Sequence, residues 1–177
     1  MRSRLSLIVA VSTLAAALLS GCTGEPAPVA STPTFATEDE AFAAAEQTYR
    51  NYVDALNQVD LSDPATFEPV YAWTTGDANA ADRKSFASLH ADGVTVDGKT
   101  SVSLMQGTGF TADPPAFTLA VCLDVSDVRL SNPDGSSAVP SDRPDLQSRD
   151  VLMEGSQESP TGWVISSFQS RSGDPTC

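Results

Sequence analysis

The cysteines carry the most specific chemistry in this chain. There are three of them, and the first, Cys22, directly follows Leu19, Ser20 and Gly21. An aliphatic residue and two small residues before a cysteine form the pattern in which the thiol of an exported protein accepts a diacylglyceryl group before the preceding segment is cut away. The pattern therefore predicts cleavage before Cys22 and lipid on its sulfur atom.

The residues before Cys22 have the composition of an export signal. Arg2 and Arg4 give a charged start, and an apolar stretch runs from Leu5 to Leu19. About 15 apolar residues are too few to cross a bilayer, which needs roughly 20. Residues 1–21 are therefore predicted to be a lipoprotein signal peptide ending in a bacterial lipobox, with an ordinary cleaved signal or a short membrane anchor as the alternatives. Two or more acyl chains, at about 0.8 kcal/mol per buried methylene, would hold the mature chain at the outer face of the cell membrane.

The two other cysteines are predicted to pair with each other. An exported chain folds in an oxidising compartment, and once lipid occupies Cys22, Cys122 and Cys177 are left. Cys122 has the parity of the strand face opposite Val121 and Leu123, and the polar C-terminal tail can fold back across that face. A disulfide would contribute about 4 kcal/mol in the chain-entropy model. The alternative is a buried Cys122 and a loose terminal thiol.

Other residues that could act in catalysis or bind metals lack a supporting context. His90 is the single histidine, and it falls in the last turn of a predicted helix, where the helix dipole favours a partly positive imidazole. A structural role is expected for it, and one histidine cannot build a histidine-rich zinc site. No Gly-x-Ser-x-Gly turn marks a nucleophile. The loop from Asp134 to Asp145 lacks alternate oxygen ligands at calcium-loop spacing, and Asp124 and Asp127 are expected to be solvated. Neither a metal nor a cofactor is expected.

The charge balance narrows the class of partner. The chain has 23 acidic and 10 basic residues. Because two of the ten basic residues leave with the signal, the formal net charge falls by two, from −13 to −15. Phosphates would repel such a surface, so binding to nucleic acid and flat docking on anionic lipid are disfavoured. Residues 22–37 are small and Pro-rich without apolar periodicity, which predicts a flexible tether of up to roughly 50 Å.

Three helices are predicted after the tether. The first begins after Thr37, which can cap it, with Glu40 reaching back as a capping box, and apolar residues then recur every three or four positions. A short helix follows Asp63-Pro64, and a third runs from Asp77 to His90. The residues predicted to face the core are Phe42, Ala45, Tyr49, Tyr52, Val53 and Leu56 in the first helix and Ala78, Ala81, Ser85, Phe86 and Leu89 in the third.

The apolar period changes from near 3.6 to 2 at Val94, which predicts strands from there on. Residues 94–104 alternate, and the strongest alternation runs from Phe117 to Val125, whose odd-numbered residues are predicted to face the first helix. Two more strands fit residues 147–156 and 162–169. The polar stretch 130–146 is predicted to be an exposed hairpin arm.

Helices followed by antiparallel strands indicate an α+β domain over residues 38–177, with three N-terminal helices packed on a curved four-stranded antiparallel sheet. This order, with a long aromatic first helix, resembles the nuclear transport factor 2-like cone, also called cystatin-like, which houses the ketosteroid isomerases. The chain is also similar to a group of small surface lipoproteins of high-GC Gram-positive bacteria. The segments that carry this second similarity are Tyr71-Ala72-Trp73, residues 122–128, the hairpin over 134–144, and Gly162-Trp163. These segments are structural, so the resemblance implies a fold and no defined activity.

The cone resemblance implies a pocket, with Tyr49, Tyr52, Trp73 and Phe86 as its candidate lining residues. The leading hypothesis is a non-enzymatic module of the cell envelope, anchored through acylated Cys22, that holds a small molecule or a neighbouring envelope protein. The alternative is a ketosteroid isomerase-like or dehydratase-like enzyme, which requires an Asp or Glu buried against Tyr49 or Tyr52 with a raised pKa. The substrate-binding lipoprotein of an importer is disfavoured, because those proteins commonly need two lobes.

Overall fold

A computed structural model describes residues 34–177. The predicted signal peptide, Cys22 and most of the predicted tether lie outside the described residues. Helices come first and strands follow, which confirms the predicted α+β class. The elements are α1 (Glu38–Leu56), a 3₁₀ turn (Pro64–Phe67), α2 (Glu68–Tyr71), α3 (Gly76–Ala91), β1 (Thr95–Asp97), β2 (Ser101–Ala112), β3 (Pro115–Asp124), β4 (Arg129–Ser131), β5 (Leu146–Gly155) and β6 (Trp163–Ser170). Over residues 34–177, every helix is too short or too polar to span a bilayer.

The start of α1 largely follows the prediction. The Thr37 hydroxyl oxygen accepts a hydrogen bond from the Glu40 amide at 3.1 Å, which satisfies one of the free amides of the first helical turn. Glu40 does not complete the expected box with Thr37, because its carboxylate accepts from the amide of Ala36. Packing begins even earlier, since the Phe35 ring stacks on Trp163 with the ring centroids 4.7 Å apart. The last residues of the predicted tether are therefore packed against the domain.

The third helix buries a different stripe from the predicted one. Ala78 and Phe86 are buried as expected, but Ala81 and Ser85 are exposed. The half-buried residue midway between Ala78 and Phe86 is Asp82, which lies four positions from each and therefore on the same helix face. The prediction that Ala81 and Ser85 are buried is wrong. A pattern of apolar residues does not include Asp82, although this residue faces the core.

Four strands form the main sheet in the order β2-β3-β5-β6, and every neighbouring pair is antiparallel. This is the meander expected from the sequence. On β3, Phe117, Leu119 and Val121 belong to the same buried core as the apolar face of α1, and the ring centroids of Phe42 and Phe117 lie 6.2 Å apart. The predicted register of β3 is therefore confirmed.

A second, two-stranded sheet pairs β1 with β4 and is missing from the prediction. The chain leaves the predicted strand 94–104 at Gly98, where φ is +83°. A Cβ atom at this position would collide with the backbone carbonyl of Asp127. Glycine satisfies both constraints, so the predicted single strand becomes two strands in two sheets.

The stretch 130–146 folds back on the domain. Its first residues continue β4, which pairs with β1. Further along, Arg143 is half-buried and donates hydrogen bonds to the carbonyl oxygens of Val125 and Val128 at 2.9 and 2.8 Å. The predicted hairpin is present, since Ser131 and Ser137 form an antiparallel bridge and most of the stretch is exposed, but Arg143 ties its far end to the preceding loop.

The C-terminal tail crosses the outer face of the main sheet and is fixed there by a disulfide between Cys122 and Cys177, as the cysteine count predicts. Arg171 lies beneath the tail with 5% of its side chain exposed and pairs with Asp150 at 3.4 Å. Its guanidinium also donates to the carbonyl oxygen of Val121 at 3.3 Å. The disulfide and the buried Arg171 side chain thus hold the tail against the outer face of the sheet.

Candidate functional site

Two cavities lie on either side of Leu56, near the end of α1. The first, the tyrosine cleft, has a volume of about 260 Å³, and the second, the Leu61 cavity, about 280 Å³. The tyrosine cleft is lined by Tyr49, Tyr52, Val53, Leu56, Leu123, Gln147, Arg149 and Phe168. The Leu61 cavity has walls that include Leu61, Phe86, Leu89, Val96, Val128 and Leu130.

The tyrosine cleft opens where α1 passes over the ends of three strands of the main sheet. Its α1 residues recur at spacings of three and four, so they form one stripe toward the sheet. Across β3 and β5, Leu123 pairs with Gln147, and Arg149 pairs with the core residue Val121. Directly opposite residues of an antiparallel pair share a sheet face. Arg149 is therefore on the core-facing side of the sheet.

Arg149 is the charged residue among those lining the tyrosine cleft. It is half-buried, and its guanidinium donates to the side-chain oxygen of Gln147 at 3.1 Å and to the hydroxyl of Ser170 at 3.2 Å. Both acceptors are neutral. Within residues 34–177, no carboxylate oxygen lies within 4.0 Å of it. Because a guanidinium keeps its proton in proteins, this edge of the cleft carries a permanent positive charge.

The Tyr49 hydroxyl adds a neutral donor. It makes no hydrogen bond among residues 34–177, and only 1% of the residue is exposed. Burial raises the pKa of Tyr49, and the nearby charge of Arg149 opposes only part of that rise. The hydroxyl therefore keeps its proton at physiological pH and can donate one hydrogen bond to a group in the cleft.

Tyr52 connects the cleft to a half-buried carboxylate on α3. Its hydroxyl donates to Oδ1 of Asp82 at 3.3 Å, while Oδ2 of Asp82 is buried without a hydrogen-bond partner in the described part of the chain. Burial raises the pKa of Asp82 to about 6, against a smaller lowering by the Tyr52 hydrogen bond. Burial also raises the pKa of Tyr52, with a further rise from the Asp82 charge. A half-buried acid with a raised pKa thus lies against Tyr52, where the enzyme hypothesis requires a buried one.

The Leu61 cavity offers mainly apolar surface. The Asn57 side chain donates to the carbonyl oxygen of Thr100 at 2.8 Å and accepts from the Thr100 amide at 2.8 Å. The Asp97 carboxylate accepts from the amide of Gly98 at 2.9 Å. Asp97 is the charged residue among those lining this cavity, so the Leu61 cavity lacks the cation that the tyrosine cleft has.

The structure brings together two of the four predicted pocket residues. Tyr49 and Tyr52 share the tyrosine cleft. Phe86 lines the Leu61 cavity instead and packs on Phe67 with ring centroids 5.1 Å apart. Trp73 lines neither cavity, and its carbonyl oxygen accepts from the amide of Ile165 at 2.9 Å. The expected single pocket is split because Leu56 lies between the two spaces.

Two polar residues of the site were missed by sequence reasoning, and both had a detectable signal. Arg149 has the same strand parity as the buried residues Val151 and Met153. Asp82 has the helical spacing of the buried residue Ala78. A charged residue at a core-facing parity departs from ordinary patterning, and such departures point to functional positions.

His90 and the acidic loops form no additional site. The His90 Nδ1 atom lies 2.7 Å from the carbonyl oxygen of Leu61, and the ring packs edge-on against Phe67. Asp134 accepts hydrogen bonds from the amide and hydroxyl of Ser136, which is a local turn. Across residues 34–177, His, Cys, Asp and Glu side chains form no group of three that could hold a metal ion.

Comparison with known proteins identifies the fold alone. No family model matches the chain, and no curated protein matches it. A solved structure from Novosphingobium aromaticivorans, described as a candidate aromatic ring hydroxylase, is 13% identical with a TM-score of 0.51, over 75% of this chain and 88% of its own. The intermembrane space region of the chloroplast protein ARC6 is also 13% identical with a TM-score of 0.51, over 75% of this chain and 97% of its own. The domain has the nuclear transport factor 2-like cone fold expected from the sequence.

Proposed function

We propose that this chain is a lipoprotein of the cell envelope, held at the outer face of the membrane through acylated Cys22, whose cone domain binds a small apolar molecule in the tyrosine cleft. The anchor rests on the sequence pattern before Cys22. The binding activity rests on one observation: a cleft of about 260 Å³ on the core-facing side of the sheet combines aromatic walls with an arginine and a free hydroxyl. Apolar walls with a few placed polar groups are the usual composition of small-molecule sites.

Binding is favoured over catalysis because the polar groups lining this cleft suit recognition. Guanidinium groups stay charged in proteins, and burial raises the pKa of Tyr49, so the lining groups do not suit proton transfer near neutrality. Asp82 titrates closer to neutrality, but it is not among the residues that line the cleft. Its link to the cleft is the hydroxyl of Tyr52.

A neutral, environment-sensitive dye such as N-phenyl-1-naphthylamine tests the binding proposal on the purified full chain. We expect a fluorescence increase that saturates at one dye per chain. Leu123→Trp places a large ring in the tyrosine cleft and should weaken dye binding about ten-fold or more. Leu130→Trp is the matched control, because it fills the Leu61 cavity and should leave dye binding unchanged. Dye binding that is lost only in Leu130→Trp would refute the tyrosine cleft as the site, and a wild-type chain that shows no saturable binding would refute the proposal altogether.

The hydrogen bond between Tyr52 and Asp82 favours a second candidate, an isomerase of the ketosteroid isomerase type. A carboxyl group with a pKa of about 6 is close to the range that general acid–base catalysis uses. The assay is conversion of a small β,γ-unsaturated cyclic ketone, such as 3-cyclohexen-1-one, to its conjugated isomer, followed by ultraviolet absorbance. Activity that is lost in Asp82→Asn and retained in Asp54→Asn would support this candidate. A wild-type rate equal to the uncatalysed rate would exclude it for this substrate class.

A further inference from the structure

We infer that the tyrosine cleft selects an organic acid, namely a carboxylate joined to a small aromatic body, with Arg149 pairing with the carboxylate and Tyr49 donating a hydrogen bond to it. This inference rests on the proposed binding function and adds the chemical class of the ligand.

Arg149, like Arg129 and Arg143, has no counter-charge among residues 34–177, but it is the one of these three that lines the tyrosine cleft. Arg171 pairs with Asp150, and Arg50 and Arg83 each lie within 4.0 Å of a glutamate. Arg149 has no carboxylate within that distance among residues 34–177, although the sequence has 23 acidic residues. Partial burial removes water from the guanidinium, and no opposite charge in the described chain compensates for this loss of hydration. The carboxylate of a ligand would supply that charge.

Two hydrogen bonds orient the Arg149 guanidinium, and its other N–H groups can still bind a ligand. Asp150, its chain neighbour, points to the opposite sheet face, where it pairs with Arg171. Gln147 and Ser170 each accept one N–H. Of the five N–H donors of a guanidinium, three are thus without a partner in the described part of the chain. Two parallel N–H groups match the two oxygens of a carboxylate.

The remaining walls suit a small aromatic body. The ring centroids of Tyr49 and Tyr52 are 6.0 Å apart, and those of Tyr52 and Phe168 are 5.3 Å apart. Leu123 and Val53 complete the apolar wall. A volume of about 260 Å³ lies below the roughly 300–1,000 Å³ of sites for drug-sized ligands. An acid with one ring and a short side chain therefore fits better than a steroid or a long-chain fatty acid.

Because the protein is acidic, its affinity for an anion depends on contacts within the cleft. The excess of acidic over basic residues, 23 against 10 in the full sequence, repels anions at long range. A bound anion must gain its affinity at the cleft itself, through Arg149 and through burial of its apolar body. A small inorganic anion lacks the second contribution, so it should compete poorly with an aromatic acid.

Calorimetric titration of the purified full chain with 3-phenylpropionate and with its neutral analogue 3-phenylpropanamide tests this inference. The acid should bind about ten-fold to a hundred-fold more tightly than the amide, as expected for a charge-assisted hydrogen bond. Arg149→Gln should abolish that preference. Arg129→Gln removes the same charge from an exposed residue outside the cleft and should preserve it. Tyr49→Phe, which leaves the net charge unchanged, should weaken binding of the acid several-fold.

The outcomes separate this inference from the proposed function. If acid and amide bind equally and Arg149→Gln changes neither, the carboxylate inference is overturned while the binding function stands. If neither compound binds but the neutral dye does, the inference is again overturned. If inorganic phosphate displaces the acid at equal concentration, the inference that the ligand has an aromatic body is overturned. If Arg149→Gln does not fold, Arg149→Lys replaces it, because lysine keeps the charge without the two-pronged geometry and should still lower the affinity several-fold.

Discussion

The carboxylate of Asp82 should make the domain less stable as the pH rises through the mildly acidic range. Burial raises the pKa of Asp82 in the folded chain to about 6, against 3.8 for an exposed aspartate. Because the folded state holds this proton more tightly than the unfolded state, protonation favours folding. The stabilisation is fully present below about pH 4 and is lost as the pH rises to about 6 and above. Ionised Asp82 therefore costs free energy of folding at neutral pH.

The size of this cost follows from the shift in pKa. At about 1.36 kcal/mol per pKa unit, a rise from 3.8 to about 6 corresponds to about 3 kcal/mol at most. Asp82 is only half-buried and accepts a hydrogen bond from Tyr52, so solvent screening reduces the expected cost to about 1–2 kcal/mol. Asp82→Asn keeps the shape and the acceptor for Tyr52 but removes the charge. It should stabilise the fold by this amount near pH 8 and have little effect near pH 4.

Urea unfolding of the wild type, Asp82→Asn and Asp54→Asn across this pH range measures the effect. Asp54 is exposed on α1, so Asp54→Asn makes the same change in net charge without a change in a buried group. The difference in unfolding free energy between the two variants should grow from near zero at about pH 4 to about 1–2 kcal/mol at about pH 8. A difference that does not change with pH, or an Asp82→Asn variant less stable than wild type near pH 8, would refute desolvation of this carboxylate.

Cys22→Ser should leave the chain uncleaved or mislocalised and without labelled palmitate in growing cells, and label on that variant would refute the lipid anchor. Cys122→Ser removes the bridge to Cys177 and should lower the melting temperature through a loss of up to about 4 kcal/mol, with export unchanged. Thiol labelling of the denatured, unreduced mature chain should find neither cysteine reactive, and two reactive thiols would contradict the bridge. Gly98→Ala should destabilise the fold by more than about 1 kcal/mol in urea unfolding, because φ is +83° and the new Cβ atom meets backbone. Gly135→Ala, at φ +82° with open space around the new Cβ atom, should cost less, and equal losses would refute the steric explanation.

The elements that apolar spacing defines could be predicted from the sequence. The stripe of α1 and the alternation of β3 predict which residues reach the core, since a helix or strand that buries one face repeats its apolar residues at its own period. The Cys122–Cys177 bridge followed from counting cysteines. The sheet of β1 and β4 could not be found in this way, because two strands of three residues each are too short to show a period.

The same patterns did not reveal the polar part of the candidate site. Arg149 and Asp82 occupy core-facing positions, but patterning treats charged residues as solvated and assigns the buried face to their apolar neighbours. Which cavity each aromatic residue lines also depends on packing in three dimensions. Leu56 separates Phe86 from Tyr49 and Tyr52, and no spacing along the chain predicts that separation.

Chemical-shift mapping of the isotope-labelled full chain with 3-phenylpropionate tests most directly whether the tyrosine cleft is the ligand site. We predict that the largest changes fall on Tyr49, Leu123 and the guanidinium of Arg149, and that they saturate together with a single dissociation constant. Changes centred on Leu61 and Phe86, or no saturable change in any residue, would contradict the assignment of the site.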